Sequence, residues 1–252
     1  AADNRMVNLF AEVLQEGKEA AYLQRAPGLD LLATVGDGPI RGLLAAGDYL
    51  YVASGSEFYR VDDNYATTLL GTLANDGPVS MAYNGAQIFI ACNGTSFIYN
   101  TNTAIYAQIT DVDFPGALTV SFLSGYFVFI EPDSQRVWVT SLNDGTAVDP
   151  LDFASAEGDP DGLVSSITDH SEIWLFGSNS IEVWYNAGTA DFPLQRIQGA
   201  FNEIGCAATF SVRRVADPAV REHRRRRGLH LPAGRPRLLR AILPVRQRDM
   251  GL

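Results

Sequence analysis

A pattern of about 40 residues occurs four times in this chain and restricts its possible folds more than any other feature. The repeats begin at Gly38, Gly77, Gly116 and Gly162, so their starts are 39, 39 and 46 residues apart. Each repeat opens with a glycine, runs into a strand of alternating aromatic and aliphatic residues, breaks at a turn and resumes as a second aromatic strand. Periods of roughly 40–50 residues that hold several short strands are typical of β-propeller blades, although the WD40 and kelch dipeptide signatures are absent.

One strand of each repeat is apolar on both of its faces. Its aligned positions hold Leu50, Ile88, Phe127 and Ile173 on one face and Tyr51, Phe89, Val128 and Trp174 on the other. Because successive side chains of a strand point to opposite sides, such a strand must be covered on both sides, as blades are when they stack in a propeller. We therefore interpret these aromatic residues as core between blades rather than as a ligand cage.

The repeats predict an all-β fold, a partial β-propeller of about four to five blades. We expect an N-terminal strand or extension over residues 1–37, blades over 38–212 and a separate tail over 213–252. Closed propellers commonly use about six to eight blades, so the ring should be incomplete in this chain. Trp138, Trp174 and Trp184 are expected to be largely buried between blades.

Charge divides the chain at the same place as the repeats do. Residues 1–212 hold seven Lys and Arg against 26 Asp and Glu, a net charge of −19, whereas residues 213–252 hold twelve Arg against three acids, a net charge of +9. The tail has no Lys and no aromatic residue, and it includes the run "RRRR" and prolines at 218, 232, 236 and 244. A genuine basic arm would suggest nucleic-acid binding. We favour translation out of frame or disorder, and expect the tail to contact the body little.

Residues that could carry chemistry are few. Cys92 and Cys206 lie far apart without ligand spacing, which favours buried thiols over a disulfide or metal pair. His170 precedes a strand and is interpreted as a solvated loop residue. Acidic loops contain Asp111 and Asp113, and then Glu157, Asp159 and Asp161. They could gather calcium but lack the full EF-hand pattern, so solvated turns are favoured.

The sequence contains no GxSxG, Walker or HExxH motif. We therefore expect no catalytic, cofactor-binding or metal-binding residues. No run of about 18 apolar residues is present, so we expect no membrane span.

Two stretches resemble the packaged-DNA-stabilisation proteins, or tail accessory (hub) proteins, of short-tailed bacteriophages. The first is "NLFAEVLQEGKEAAYLQRAPGL", from Asn8 to Leu29, with its Asn-Leu, Tyr and Pro-Gly-Leu. The second runs from Leu151 to Thr209 and contains the Pro-Asp-Gly of "AEGDPDG" and the Phe-Gly-Ser-x-Ser-Ile-Glu of "FGSNSIE". Together they frame nearly all of residues 8–209, and the two elements are fairly specific in combination.

The resemblance implies a non-enzymatic virion protein below the portal that helps to keep packaged DNA inside the capsid. It further implies portal and other tail proteins as partners, a homo-oligomeric ring, and a location in the virion, with assembly in the host cytoplasm. We expect no sequence-specific nucleic-acid binding, because a strongly acidic body repels DNA. An extracellular propeller enzyme of the glycosidase or lactonase type and a propeller scaffold for protein interaction remain alternatives.

Overall fold

The structure is a computed structural model that describes residues 9–13, 21–25, 28, 30–74, 77–189 and 192–213. Every regular element in this part of the chain is a β-strand. Strands β1 (Leu9–Val13) and β2 (Ala21–Arg25) pair as an antiparallel hairpin that belongs to one compact unit. The strands from Ile40 to Asn202 belong to a second unit.

The second unit contains four antiparallel sheets of four strands, in which strands follow one another in chain order. Blade 1 comprises β3 (Ile40–Ala46), β4 (Tyr49–Ser54), β5 (Glu57–Val61) and β6 (Thr67–Thr72). Blade 2 comprises β7 (Ser80–Tyr83), β8 (Gln87–Cys92), β9 (Thr95–Asn100) and β10 (Ile105–Gln108). Blade 3 comprises β11 (Val120–Leu123), β12 (Tyr126–Ile130), β13 (Arg136–Val139) and β14 (Phe153–Ser155). Blade 4 comprises β15 (Leu163–Asp169), β16 (Glu172–Gly177), β17 (Ile181–Asn186) and β18 (Leu194–Asn202).

Short turns set the register of the first hairpin in each blade. Leu123 pairs with Tyr126 across a two-residue loop of Ser124 and Gly125, and both loop residues have positive φ angles, of 51° and 95°. This is the backbone that a two-residue hairpin with the right twist requires, and glycine adopts it without strain. Each repeat therefore folds locally into the hairpin that the sequence pattern indicates.

The blades stack in chain order through their faces. We call the side of a blade that faces the preceding blade its leading face, and the opposite side its trailing face. Between blades 1 and 2, Tyr51 packs with Ile88 and Ile90. Equivalent clusters lie between blades 2 and 3 and between blades 3 and 4. The strand that is apolar on both faces is thus buried between two neighbours, and the prediction of a partial, all-β propeller is confirmed.

The first strands of the blades, β3, β7 and β11, lie side by side and are joined by polar side chains. Arg41 donates from Nε to the Gly77 carbonyl at 2.6 Å. The Ser80 hydroxyl accepts from the Val120 amide at 3.1 Å, and the hydroxyls of Thr119 and Ser166 lie 3.2 Å apart. Arg41, Ser80 and Thr119 each occupy the third position after a repeat glycine. That position therefore links each blade to the next.

The prediction for the tryptophans is correct for two of the three. Trp138 and Trp184 are 5 % and 7 % exposed in the clusters between blades. Trp174 is only half-buried, because it lies on the trailing face of blade 4, where no further described blade packs. The sequence could not separate these cases, since both faces of the strand are equally apolar.

The predicted tail lies almost wholly outside the described residues, which end at Arg213. Its predicted separation from the body and its out-of-frame origin stay predictions. So do the boundaries proposed at residues 37/38 and 212/213.

Candidate functional site

The two acidic residues of the resembling motifs are buried structural groups. Asp161, from "DPDG", is 8 % exposed and accepts hydrogen bonds from the amides of Asn179 and Ser180 at 2.5 and 3.0 Å. The Ser180 hydroxyl donates to its other oxygen at 2.9 Å. A Cβ atom at Gly177 would overlap the Asp161 carboxylate. Gly177 and Ser180 of "FGSNS" therefore allow Asp161 to cap this turn. The interpretation of Asp161 as a solvated turn residue is wrong.

Glu182, from "NSIE", is 2 % exposed on the leading face of blade 4. Its Oε2 accepts from Trp184 Nε1 at 2.7 Å, and its Oε1 accepts from the Gly158 amide at 2.6 Å. Arg196 Nη1 lies 3.4 Å from Oε1 and supplies a positive charge. A buried carboxylate is stable only when its charge and its acceptor sites are matched in this way.

Sequence reasoning did not single out Glu182, although a signal was present. Position 182 is aligned with Tyr59, Phe97 and Trp138, and the last two face the preceding blade. An acidic residue at a position that is aromatic in the other repeats indicates a buried polar network. Asp161 and Glu182 both accept hydrogen bonds from backbone or indole N–H groups, and these bonds attach the loop of residues 156–162 to blade 4. Neither carboxylate is therefore available as part of a catalytic pair at this place.

The other candidate residues lie apart from one another. His170 is well exposed in the β15–β16 turn, with Nδ1 3.1 Å from Asp169 Oδ1, in agreement with a solvated loop residue. Asp111 accepts from the amides of Asp113 and Val148 at 3.0 and 3.3 Å, so its carboxylate shapes a loop. Glu157 is exposed. Across the described ranges, no group of three or more His, Cys, Asp or Glu residues is placed to hold a metal ion.

The two cysteines have unlike surroundings. Cys92 is fully buried against blade 1, and burial raises the pKa of its thiol to about 11. Cys206 is half-buried, with Sγ 3.3 Å from the Ala208 carbonyl. The prediction of buried thiols thus holds for Cys92 and is wrong for Cys206.

An acidic groove of about 480 Å³ lies at one end of blade 1, lined by Asp48, Asp62 and Asp63. The Arg60 guanidinium lies 4.4 Å from the centre of the Tyr49 ring beside it. Asp62 already accepts from two backbone amides of its own turn. These contacts stabilise the turn. In the part of the chain that the structure describes, no helix is long and apolar enough to cross a membrane.

No further described blade packs on the trailing face of blade 4, which is largely apolar. Trp174 pairs with Ile167 and Val183 across this face, and Phe176 lies next to it. Trp174 Nε1 is buried and makes no hydrogen bond to a described group. Tyr185, on the same face, is 39 % exposed. A face of this composition is suited to packing against protein rather than to catalysis.

Residues 2–220 match the model of one protein family, described as Bacteriophage P22 Gp10, beta-propeller. The match covers both resembling stretches and all four blades. No curated protein gives a significant sequence match.

Several solved structures are similar in fold. YCF48 bound to D1 peptide has 11 % identity and a TM-score of 0.49, over 71 % of this chain and 59 % of that one. Kluyvelomyces marxianus Hsv2 has 12 % identity and a TM-score of 0.45, over 72 % and 60 %. The computationally designed Ika4 protein has 13 % identity and a TM-score of 0.45, over 63 % and 99 %. The chain thus spans about 60 % of the length of the first two.

Proposed function

Because the chain belongs to the bacteriophage P22 Gp10 beta-propeller family, we propose that it is a tail accessory protein of the virion that helps to retain packaged DNA. Its place is below the portal, in the tail hub, after assembly in the host cytoplasm. The observation that carries this proposal is the family match over residues 2–220. The buried roles of Asp161 and Glu182 support it, because the residues most specific to the motifs serve the fold.

A protein that retains DNA under pressure needs stiffness and broad contacts. Adjacent blades here are held together by aromatic and aliphatic clusters, as around Phe89 and Phe129, whose ring centres are 5.8 Å apart. Close-packed protein interiors have low compressibility and transmit strain. The blade surfaces are available for contacts with the portal, with other tail proteins and with further subunits of a homo-oligomeric ring.

The negative charge of residues 1–212 favours a protein that retains DNA by blocking its exit over one that retains DNA by binding it. Residues 1–212 carry a net charge of −19, and attraction to DNA requires clustered Lys and Arg. Like-charge repulsion lets DNA pass during ejection without being captured. The proposal therefore includes no sequence-specific nucleic-acid binding and no membrane partner.

The proposed activity is non-enzymatic and needs no cofactor. The described candidates for acid–base chemistry are either exposed, like His170, or engaged in structural hydrogen bonds, like Glu182. A nucleophile, a base and groups that stabilise the transition state would have to converge on one site.

Deletion of the gene from its phage tests this proposal. We expect capsids that fill with DNA and then lose it, which nuclease protection of packaged DNA measures over time. Terminase activity and the number of heads should stay at wild-type values, and expression of the gene in trans should restore retention.

Particles that retain their DNA and infect normally after the deletion would contradict the proposal. Hydrolysis of glycans or lactones by the purified protein would support a propeller enzyme instead.

A further inference from the structure

The segment after β18 lies across the trailing face of blade 4 at two defined points. The Cys206 amide donates to the Gly177 carbonyl at 2.9 Å. The Ser165 hydroxyl donates to the Thr209 carbonyl at 2.7 Å. Ser165 is 3 % exposed, so its hydroxyl is committed to this contact.

The first contact repeats one made at the start of earlier blades. Ala117, directly after the repeat glycine Gly116, donates its amide to the Gly94 carbonyl, in the β8–β9 turn of blade 2. Leu163, directly after Gly162, donates to the Ser134 carbonyl, in the β12–β13 turn of blade 3. Cys206 directly follows Gly205, and its acceptor Gly177 ends β16, before the equivalent turn of blade 4.

The second contact repeats the link between first strands. Ser165 is the third residue after Gly162, the position that Ser80 and Thr119 hold in their own repeats. The partners of Ser80 and Thr119 are Val120 and Ser166, each the fourth residue after the next repeat glycine. Thr209 is the fourth residue after Gly205. Two independent contacts therefore give Gly205 the same register as the repeat glycines Gly116 and Gly162.

We propose that Gly205 opens a fifth repeat and that the trailing face of blade 4 is a docking face for a fifth blade, of which residues 205–213 supply the first strand. The start of this repeat is 43 residues after Gly162, within the range of the earlier spacings.

The chemistry of the docking face identifies its occupant as a β-blade whose second strand carries apolar residues on its leading face. Trp174 is aligned with Tyr51, which packs in blade 1 against Ile88 and Ile90 of blade 2. Phe89, at the aligned position of blade 2, packs against Phe127 and Phe129 of blade 3. An aromatic ring on a trailing face is thus met by two apolar side chains from the second strand of the next blade. Residues 214–252 lack this strand pattern in their sequence, so the occupant is a blade of the repeat type and not that segment.

This inference does not depend on the proposed function, and an exchange of segments tests it. In the full chain, residues 210–252 are replaced by residues 82–115, which continue the second repeat from the register of Thr209. The inserted segment contains no tryptophan, so acrylamide quenching still reports the chain's own three. We expect the quenchable fraction to fall from about one tryptophan in three to none, and the urea midpoint to rise.

A matched control carries Lys at the inserted positions of Ile88 and Ile90, and should show neither change. The proposal is overturned if the inserted repeat shields nothing, or if the Lys control shields equally. It is also overturned if Trp174 of the unmodified chain is already shielded, either in a dimer or by residues 214–252 in a monomer.

A point variant tests the same proposal even where the chain with the exchanged segment does not fold. A Cβ atom at Gly205 would overlap the backbone of Ser178 and Asn179, whereas one at Gly162, the same repeat position, has room. Gly205→Ala should increase the alkylation rate of Cys206 several-fold, and Gly162→Ala should leave it unchanged. Equal rates in the two variants would show that residues 205–213 do not lie on this face.

Discussion

The two faces of blade 4 are built from alternate residues of the same strands, yet they differ in how completely they are covered. On the leading face, Ile173 and Leu175 are 0 % and 1 % exposed against blade 3, and Trp184 donates to Glu182. On the trailing face, Trp174 is half-buried with an indole N–H that has no described partner, and Tyr185 is 39 % exposed. The sequence is equally apolar on both faces, so the difference arises from the neighbour and not from the strand.

Truncation of a leading-face residue should have the largest effect. Leu175→Ala leaves a cavity between blades 3 and 4, and we expect it to lower the free energy of unfolding by about 2–5 kcal/mol. Phe176→Ala, on the trailing face, removes a half-buried ring and should cost about 1 kcal/mol. Urea unfolding followed by circular dichroism measures both. Equal losses would mean that the trailing face is covered as completely as the leading face.

Removal of the buried acid should have an effect of similar size. Glu182→Ala leaves the Trp184 indole N–H and the Gly158 amide without their acceptor, and each unsatisfied donor costs about 1–3 kcal/mol. Glu172→Ala, on the trailing face of the same blade, is the control and should stay within about 0.5 kcal/mol. A small effect of Glu182→Ala would contradict the structural role given to this motif residue.

Loss of a hydroxyl between first strands should have a moderate effect. Ser80→Ala removes the acceptor of the Val120 amide in a closed interface, and we expect a loss of about 1 kcal/mol. Ser165→Ala removes only the contact to Thr209, so global stability should fall less, while proteolysis after β18 should accelerate. Unchanged proteolysis in Ser165→Ala would argue against an ordered segment at Thr209.

Alkylation of the two cysteines compares a closed interface with the trailing face of blade 4 at the smallest perturbation, since no residue is substituted. Cys92 lies in a closed interface, and its pKa is raised to about 11 by burial, so it should not react in the native protein at pH 8. Cys206 lies beside the trailing face of blade 4 and should be alkylated. Mass spectrometry should find one label before unfolding and two after it. A native protein with no label, or with two, would contradict the comparison.

The repeat glycines and the doubly apolar strands were sufficient to predict the blades, because hairpin turns and two-sided burial both leave marks in the sequence. The coverage of the end faces could not be predicted, since Trp174 and Phe89 occupy equivalent positions and differ only in what packs on them. Asp161 was missed as a buried group because two of its three donors are backbone amides, which have no sequence signature. Glu182 was missed although its position is aromatic in the other three repeats. Gly205 was missed because its repeat is followed so soon by the Arg-rich tail.

The most direct measurement of the difference between the two faces is acrylamide quenching of tryptophan fluorescence in two matched variants. Trp174→Phe removes the residue on the trailing face and Trp184→Phe removes the one on the leading face. We predict that Trp174→Phe abolishes the quenchable component while Trp184→Phe leaves it intact. A quenchable component that survives Trp174→Phe, or that disappears in Trp184→Phe, would contradict an open trailing face on blade 4.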